Sequence, residues 1–437
     1  MRNLKAFACG FVCALVEAMA ADAPHTYSAL HCGSLLDVHT GHAINDAMVL
    51  IDDGKVRESG AAPRVRLLHD EHPIDLTHAT CMPGLIDVHD HLTGDPEHSG
   101  YQSLGISIPR ETVTGVKNAK KTLEAGFTTA RNVGASGYSD VALRDGINAG
   151  EVPGPRLLVS GPALGITGGH CDNNLLAPQY RYSDEGVADG PWAVRAKVRE
   201  VIKYGADLIK ICASGGVLSK GDQPGTAQYT VEELRAIVEE AHKLGRKVAA
   251  HAHGAQSIKD AIRAGIDSVE HCSLIDDEGI ALAKQARTFL VFDVYNDDFI
   301  LQHGLKAGML AESVEKERQI GALQRENFTR AYKAGVRMAF GTDGGVYPHG
   351  DNAKQFAWMV KLGMTPADAI QAATVNAAEL LGWSHHVGTL EPGSYADIIA
   401  VEGDPLTDIT RLERVKFVMK NGEIVKNEYQ AAVRTGR

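Results

Sequence analysis

The chain has 437 residues, of which 44% are hydrophobic, and its formal net charge is −11. This length and apolar content allow one large domain with a sizeable core and a smaller second domain. The acidic balance, without a lysine or arginine cluster, argues against nucleic acid and anionic membrane as partners, because both require a basic surface, and favours a small-molecule substrate.

The first 20 residues predict a secretory signal peptide. Arg2 and Lys5 give a basic start, the apolar stretch "AFACGFVCALV" follows, and "AMAADA" offers small residues for cleavage after Ala20. An amphipathic N-terminal helix is the alternative, because Glu17 is unusual in a cleavage region. No other segment is long and apolar enough for a membrane span. We therefore expect an exported protein, periplasmic or secreted.

Cleavage would leave five of the seven cysteines, namely Cys32, Cys81, Cys171, Cys212 and Cys272. No two of these form a C-x-x-C pair. An odd number of cysteines in an exported chain of this size predicts no disulfide framework. The hydrophobic core is then expected to supply the stability.

Both ends of the chain have the pattern of short antiparallel strands. The segment "AMVLIDDGKVRESG" alternates apolar and polar residues around an Asp-Gly turn, and "VKFVMKNGEIVKN" contains an Asn-Gly turn between two strands. Together with "ADIIAVEGDP", these segments predict one small β-sandwich domain formed from residues 21–82 and 384–437.

Residues 83–383 follow a different pattern, in which short apolar runs alternate with amphipathic segments. Eight runs predict strands: "GLIDVHDH", "FTTARNV", "RLLVSG", "DLIKICA", "KVAAHAH", "DSVEHC", "FLVFDV" and "VRMAFGTD". Intervening segments such as "TVEELRAIVEEAHKLG" carry apolar residues at helical spacing, and several end at glycine. This order predicts an α/β fold, a (β/α)8 TIM-like barrel, with a doubly wound open sheet as the competing architecture.

Residues with metal-binding or catalytic chemistry lie at the C-terminal ends of the predicted strands, where barrel active sites are found. They are His89 and His91 in the first strand, Lys210 in the fourth, His251 and His253 in the fifth, His271 in the sixth and Asp343 in the eighth. Because residues two apart on a strand point the same way, His89 and His91 can face one lumen together. Neutral imidazoles and a carboxylate suit Zn²⁺ or a similar divalent metal. The sequence therefore predicts a metal site inside the barrel.

Lys210, in "ADLIKICASGG", is flanked by Ile209 and Ile211 in a predicted central strand. A buried ammonium group is costly unless it is paired or neutral. One interpretation is a salt bridge to a neighbouring acid. The other is a nucleophilic amine with a lowered pKa, which can add CO2 to form a carbamate. Such a carbamate is an anionic ligand with two oxygens that can bridge two metal ions.

The sequence resembles the amidohydrolase superfamily, specifically its binuclear branch with a carboxylated lysine, and is similar to imidodipeptidases and ochratoxin-hydrolysing amidases of that branch. The motifs that carry the resemblance occur in the family's order: "PGLIDVHDHL", "TGGH", "LIKICASGG", "AHAHG", "VEHC", "FGTDGG" and "GTLEPGSYADIIAVEGDPL". They span almost the whole chain after the predicted signal peptide. The resemblance implies two divalent metal ions, with zinc as the default, and a CO2-derived carbamate on Lys210.

The resemblance also implies a ligand set and a mechanism. The more buried metal would be held by His89, His91 and Asp343, the more exposed metal by His251 and His271, and carboxylated Lys210 would bridge both. A hydroxide bridging the metals would be the nucleophile. Asp343 would accept its proton and pass that proton to the leaving nitrogen.

Two further histidines are expected to contact the substrate. The motif "AHAHG" offers two imidazoles where binuclear members use one. Related dipeptidases resemble "AHAY" here, so we assign His251 as a ligand and His253 as a substrate contact. His170 matches a family position that polarises the substrate carbonyl or binds its oxyanion, and a loop-structuring role is the alternative. Weaker candidates for the substrate pocket or for orienting a ligand are Tyr295, Asp298, Tyr347, His349, Asp87 and Asp90.

The resemblance implies an enzyme, a metal-dependent peptidase or amidase that cleaves the amide bond to a C-terminal amino acid in a dipeptide or in an N-acyl amino acid such as ochratoxin A. A cyclic-amide hydrolase of the same superfamily is the alternative, whereas deaminases typically lack the strand-four lysine. A non-catalytic binding protein is disfavoured because all six ligand positions are filled. Members of the branch often form homo-oligomers, up to octamers, and composition does not decide the oligomeric state.

Overall fold

The computed structural model of the protein describes residues 25–67 and 72–430. The predicted signal peptide lies outside these residues. The described chain opens with four strands, β1 (Tyr27–Asp37), β2 (His42–Asp52), β3 (Lys55–Ala61) and β4 (Ile74–Pro83). Seven short and mostly buried strands follow: β5 (Leu85–Asp90), β6 (Phe127–Asn132), β7 (Arg156–Val159), β8 (Ile209–Cys212), β9 (Val248–Ala252), β10 (Ser268–His271) and β11 (Phe289–Val291). The last strands are β12 (Ile398–Glu402), β13 (Phe417–Lys420) and β14 (Glu423–Asn427).

Helices separate the seven short strands and follow them. They are α1 (Ile108–Glu124), α2 (Ser139–Asn148), α3 (Pro191–Lys203), α4 (Val231–Lys243), α5 (Ala255–Ala264), α6 (Asp277–Ala286), α7 (Asn296–His303), α8 (Ala311–Lys333), α9 (Lys354–Lys361), α10 (Pro366–Ala372) and α11 (Val375–Leu381). Helix α4 begins with a capping box formed by Thr230 and Glu233. No helix within the two described ranges is long and apolar enough to cross a bilayer.

Strands from both ends of the chain form one seven-stranded sheet in the order β14-β13-β12-β4-β1-β2-β3. The two predicted hairpins are confirmed. Their turns, Asp53-Gly54 and Asn421-Gly422, have positive φ at both positions, as two-residue hairpins require. Strand β12 pairs antiparallel with β4, and this pairing joins the two ends of the chain. The predicted β-sandwich is not confirmed, because the seven strands are hydrogen-bonded into a single sheet.

The prediction of no disulfides is wrong. Cys32 in β1 is bonded to Cys81 in β4, and Cys171 is bonded to Cys212 at the end of β8. The parallel pairing of β1 with β4 brings the first pair within 6.0 Å between Cα atoms although 49 residues separate them in sequence. The fifth of these cysteines, Cys272, is buried and forms no disulfide.

Loss of the Cys32–Cys81 bond should destabilise the protein. Replacing both residues by serine is expected to lower the free energy of unfolding by about 2–4 kcal/mol, because the cross-link restricts the unfolded chain. Denaturant unfolding of the oxidised protein measures this change. The matched control is Cys272→Ala with both disulfides intact, analysed under the same oxidising conditions. An unchanged unfolding midpoint in the double variant would show that the bond contributes nothing.

The seven short strands build a TIM-like barrel, so the open-sheet alternative is excluded. Parallel pairing joins β5-β6-β7 and β8-β9-β10-β11. A bridge between Leu164 and Ile211 connects the two groups, and bridges from Met338 to Leu290 and from Gly344 to Asp90 close the ring. The predicted eighth strand therefore lies in its expected place.

The eighth strand is not a regular ladder. At Gly341 an added Cβ would lie 2.4 Å from a Val291 methyl carbon and 2.7 Å from the His89 Cβ. Only glycine allows this close approach to the first strand. Two residues later Asp343 has a φ of +56°. The backbone thus turns out of the ladder at the point where it presents the Asp343 carboxylate to the lumen.

Candidate metal centre and substrate pocket

The predicted ligands of the more buried metal lie together at the C-terminal end of the barrel. The Nε2 atoms of His89 and His91 are 3.3 and 3.2 Å from Asp343 Oδ1. His89 Nε2 is buried and has no hydrogen bond within the described residues. Two imidazole nitrogens and a carboxylate oxygen at this spacing form a donor set that suits a divalent metal ion.

The predicted ligands of the second metal lie beside the first group. His251, His253 and His271 offer nitrogen atoms within 4.8 Å of one another. His271 also lies within this range of Asp293 and Asp343, so it connects the two groups. All of these side chains line one cavity of about 720 Å³. The cavity can therefore hold two ions close together.

Buried acids fix the orientation of the histidine rings. His89 Nδ1 lies 3.0 Å from Glu270 Oε2, and Arg131 donates to the other oxygen of Glu270 at 2.8 Å. Burial alone would raise the pKa of Glu270, but Arg131 and His89 lower it below its usual range. The carboxylate therefore stays ionised and directs His89 Nε2 towards the lumen. His271 Nδ1 is held in the same way by Asp293 at 3.0 Å.

Asp343 is ionised and positioned by its neighbours. Burial would raise its pKa, but the adjacent His89 and His91 lower the pKa well below its usual range. Asn296 donates to Asp343 Oδ2 at 3.1 Å, which leaves Oδ1 directed at the two histidines. This carboxylate can serve as a ligand through one oxygen and as a proton acceptor.

Lys210 lies in β8 with its side chain in the cavity wall and 3% of its surface exposed. Its ammonium group has no hydrogen bond or ion pair to any residue in the described part of the chain. Burial lowers the pKa of Lys210 to about 8, although nearby Glu270 and Asp343 oppose the shift. The salt-bridge interpretation is therefore not supported, and the neutral fraction of the amine, the form that reacts with CO2, is larger than in an exposed lysine.

His251 in β9 and His253 just after it each have one ring nitrogen in a hydrogen-bond contact, and the other ring nitrogen is available to the cavity. His251 Nε2 lies 3.1 Å from the carbonyl oxygen of Gly215, and His253 Nδ1 lies 2.8 Å from the hydroxyl of Ser273. Burial lowers the pKa of both imidazoles well below the usual value, and surrounding histidines add to the shift. Both rings are therefore neutral and able to coordinate a metal or to contact a substrate.

The assignment of His251 as ligand and His253 as substrate contact predicts different effects for two matched variants. His251→Asn should lose about one equivalent of metal. His253→Asn should keep the full metal content while kcat/KM falls by about 10–100-fold, the loss typical of one strong hydrogen bond. Elemental analysis and steady-state kinetics on both proteins make the comparison. Metal loss from His253→Asn with full retention in His251→Asn would reverse the assignment.

The sequence profile of the amidohydrolase family matches residues 80–425, which include both ligand groups. The chain belongs to the amidohydrolase family. Ochratoxinase from Aspergillus niger is 36% identical over 373 residues, which cover 79% of this chain and 75% of the relative. This family membership confirms the resemblance inferred from the motifs, and the amidohydrolase is an enzyme that hydrolyses amide bonds.

Solved structures of similar proteins agree with this family. A Xaa-Pro dipeptidase with bound methionine in its active site is 35% identical, with a TM-score of 0.85 over 91% of this chain and 99% of that one. A prolidase complexed with N-methylphosphonate-L-proline is 32% identical, with a TM-score of 0.84 over 92% of this chain and 100% of that one. The structure of A. niger ochratoxinase has a TM-score of 0.85.

His170 lines the pocket of this amidohydrolase. Its ring stacks on that of His251 with 4.0 Å between centroids, and its Nδ1 lies 2.7 Å from Ser219 Oγ, which donates to Asp222 at 2.6 Å. A Cβ on Gly216 would lie 2.2 Å from the His170 ring, so only glycine leaves room for it. Burial lowers the pKa of His170 to about 4, which keeps the imidazole neutral.

Several weaker candidates lie outside the cavity wall of the amidohydrolase. Tyr347 and His349 are buried beneath it, and Asp298 accepts hydrogen bonds from Arg325 and Trp358. Asp87 accepts hydrogen bonds from Thr342 and Asn352 and joins the first strand to the eighth. The role of Asp87 is therefore structural, and its carboxylate does not reach the pocket.

The residues that orient the candidate ligands were not predicted from the sequence. They are Arg131, Glu270, Asp293 and Asn296. Arg131 and Glu270 are charged residues within the predicted apolar runs "FTTARNV" and "DSVEHC". Two opposite charges in buried strands are a signal that could have indicated a pair. Asp293 carries a similar signal, because it is a charged residue within the predicted run "FLVFDV", whereas Asn296 lies beyond that run and has no comparable signal.

Proposed function

We propose that this amidohydrolase cleaves the amide bond to a C-terminal amino acid in a dipeptide or an N-acyl amino acid, with two divalent metal ions as cofactors. The observation that carries the proposal is that both ligand groups and the unpaired Lys210 line one cavity. Zinc is the proposed metal and a carbamate on Lys210 the proposed bridge. The similarity to ochratoxinase, a Xaa-Pro dipeptidase and a prolidase supports this substrate class.

Bound metal ions would polarise the scissile carbonyl and lower the pKa of the attacking water. Asp343 is placed to accept a proton from that water and to return it to the leaving nitrogen, because its second oxygen is held by Asn296. His170 and His253, neutral and facing the cavity, would hold the carbonyl oxygen as charge develops on it.

The apolar part of the cavity lining suggests a place for the acyl side of the substrate. Its residues include Leu104, Ile106, Ile108, Leu176, Val217 and Leu218. An apolar wall of this kind accommodates an apolar or aromatic acyl group, because burial of such a group removes apolar surface from water. We therefore place the acyl group against this wall and the C-terminal amino acid nearer the histidines.

We also propose that the protein is exported and assembles as a homo-oligomer. The two disulfides support export, because such bonds persist in oxidising compartments. Determination of the N-terminal residue of the purified protein tests cleavage after Ala20. Sedimentation analysis tests the oligomeric state.

The experiment that tests the proposed function combines elemental analysis with a substrate panel. The panel contains N-acyl amino acids, Xaa-Pro dipeptides, ochratoxin A and cyclic amides. We expect about two metal equivalents per chain and release of the C-terminal amino acid. Turnover of the cyclic amides alone would contradict the proposed substrate class. One equivalent or none, with no turnover after zinc is added, would overturn the binuclear site.

A further inference from the structure

A second cavity, of about 920 Å³, lies at the end of the barrel opposite the candidate metal centre. Its wall includes Arg156, the first residue of β7, Leu208 before β8 and Lys247 before β9. These positions are the N-terminal ends of parallel strands, whereas the candidate metal ligands lie at the C-terminal ends. The cavity is therefore separate from the substrate pocket.

The charge of this cavity is opposite to that of the whole protein. Among the described residues that line it, five side chains are cationic and two are carboxylates: Arg131, Arg144, Arg156, Arg246 and Lys247 against Asp145 and Asp207. Both carboxylates are already engaged by Arg144, at 2.8 and 2.7 Å. Beneath the wall, Glu270 pairs with Arg131. Arg246 and Lys247 are thus left without a carboxylate partner in the described structure.

Three of the cations have unused hydrogen-bond donors. Arg246 donates from Nε to the carbonyl oxygen of Ala206 at 3.2 Å, and Lys247 donates to the carbonyl oxygen of Glu379 at 3.4 Å. No other hydrogen bond of these two side chains occurs within the described residues. The Nε and Nη2 atoms of Arg156 are buried without a hydrogen bond, although Nη2 forms an ion pair with Asp397 at 3.5 Å. Buried guanidinium donors without acceptors are costly.

The charges around Lys247 are mixed. Burial lowers the pKa of Lys247, the charges of Asp267 and Glu379 raise it, and those of Arg131 and Arg337 lower it. A multivalent anion in the cavity would accept the unused hydrogen bonds and balance the cations that have no carboxylate partner. Charge-assisted hydrogen bonds from guanidinium groups to oxyanions are among the strongest in proteins.

We propose that this cavity binds a small multivalent oxyanion, such as a phosphate or a polycarboxylate. Arginine is suited to this task because its planar fork matches two oxygens of one anion. The remaining wall includes Leu380, Leu381 and Trp383, whose apolar side chains lower the local dielectric constant and so strengthen the attraction. The volume of the cavity lies within the range of small-molecule sites, about 300–1,000 Å³.

One wall residue links the two ends of the barrel. Arg131 lines the basic cavity and donates to Glu270, whose other oxygen contacts His89. An anion beside Arg131 would therefore be two side chains away from a candidate metal ligand.

Calorimetric titration of the purified protein with inorganic phosphate, and separately with citrate, tests the proposal at low ionic strength, where screening is weak. The cavity variants Arg246→Gln and Lys247→Gln are compared with Lys243→Gln, which removes an exposed charge at the end of α4 outside the cavity. We expect one site per chain for at least one probe, with a Kd raised by about tenfold or more in each cavity variant and unchanged in the control.

The two probes distinguish the source of the ligand, because a phosphate site and a polycarboxylate site differ in which probe binds more tightly. Two cavity variants are used so that a folding defect in one, detected by its thermal midpoint, leaves the other as a test. Absence of saturable binding of both probes up to about 10 mM would overturn the proposal. Equal affinity in wild type and both cavity variants would also overturn it, because the anion would then bind elsewhere.

Discussion

Replacing Lys210 with alanine should reduce kcat/KM for the best amide substrate by at least about a thousandfold and lower the metal content below two equivalents. The reason is that, among the described residues, Lys210 is the one lysine in the lining of the cavity that holds both ligand groups. Without a carbamate at this place, two cations would lack an anionic bridge. Elemental analysis and kinetics on the same preparation measure both effects.

A chemical rescue separates a bridging role from a structural one. Acetate or propionate added to the Lys210→Ala protein should restore part of the activity by supplying two carboxylate oxygens in the vacated space. Lys420→Ala is the matched control, because burial also lowers the pKa of Lys420 to about 8 but the residue lies in β13, away from the pocket. Full activity in Lys210→Ala without added carboxylate would refute the carbamate bridge.

Asp343→Asn should lower kcat by about 10²–10⁴-fold, the range expected for loss of a general base. Asparagine is the informative replacement because it tolerates the left-handed backbone at this position, where φ is +56°. It also removes the charge that accepts the proton while its size hardly changes. Steady-state kinetics, together with a thermal unfolding profile that reports folding, give the measurement.

Asp298→Asn is the control for this variant. Asp298 lies in α7, which comes after the seventh barrel strand. Its carboxylate accepts hydrogen bonds from Arg325 and Trp358 outside the cavity wall. Its kcat is expected to stay within about threefold of wild type, because no reacting atom is nearby. A loss in Asp298→Asn equal to that in Asp343→Asn would show that both act by holding the fold and that Asp343 is not the base.

Local features of the sequence predicted the elements that depend on neighbouring residues. The Asp53-Gly54 and Asn421-Gly422 turns specify hairpins because both positions need positive φ, which these residue types adopt readily. The period of two along a strand placed His89 and His91 on one side of the barrel wall. The location of the candidate pocket could be predicted because active-site residues of this fold lie at the C-terminal ends of the barrel strands.

Features that depend on distant pairing were not predicted. Arg131 and Glu270 are 139 residues apart and meet only because β6 and β10 face each other across the barrel. The Cys32–Cys81 bond likewise requires the pairing of β1 with β4. A single sequence contains no signal for which distant strands will be neighbours, so charges in apolar runs and scattered cysteines could be noticed but not paired.

The pairing of β4 with β12 also limits when the seven-stranded sheet can form during synthesis of the chain. The whole barrel lies between these two strands in sequence, so the edge of β4 has no partner until the C-terminal residues have been synthesised. An open strand edge is a template for wrong pairing with another chain. Pairing over so long a separation is also slow. We therefore expect the newly made chain to depend on chaperones until β12 docks, and chains cut short before β12 to aggregate even when their barrel segment is complete.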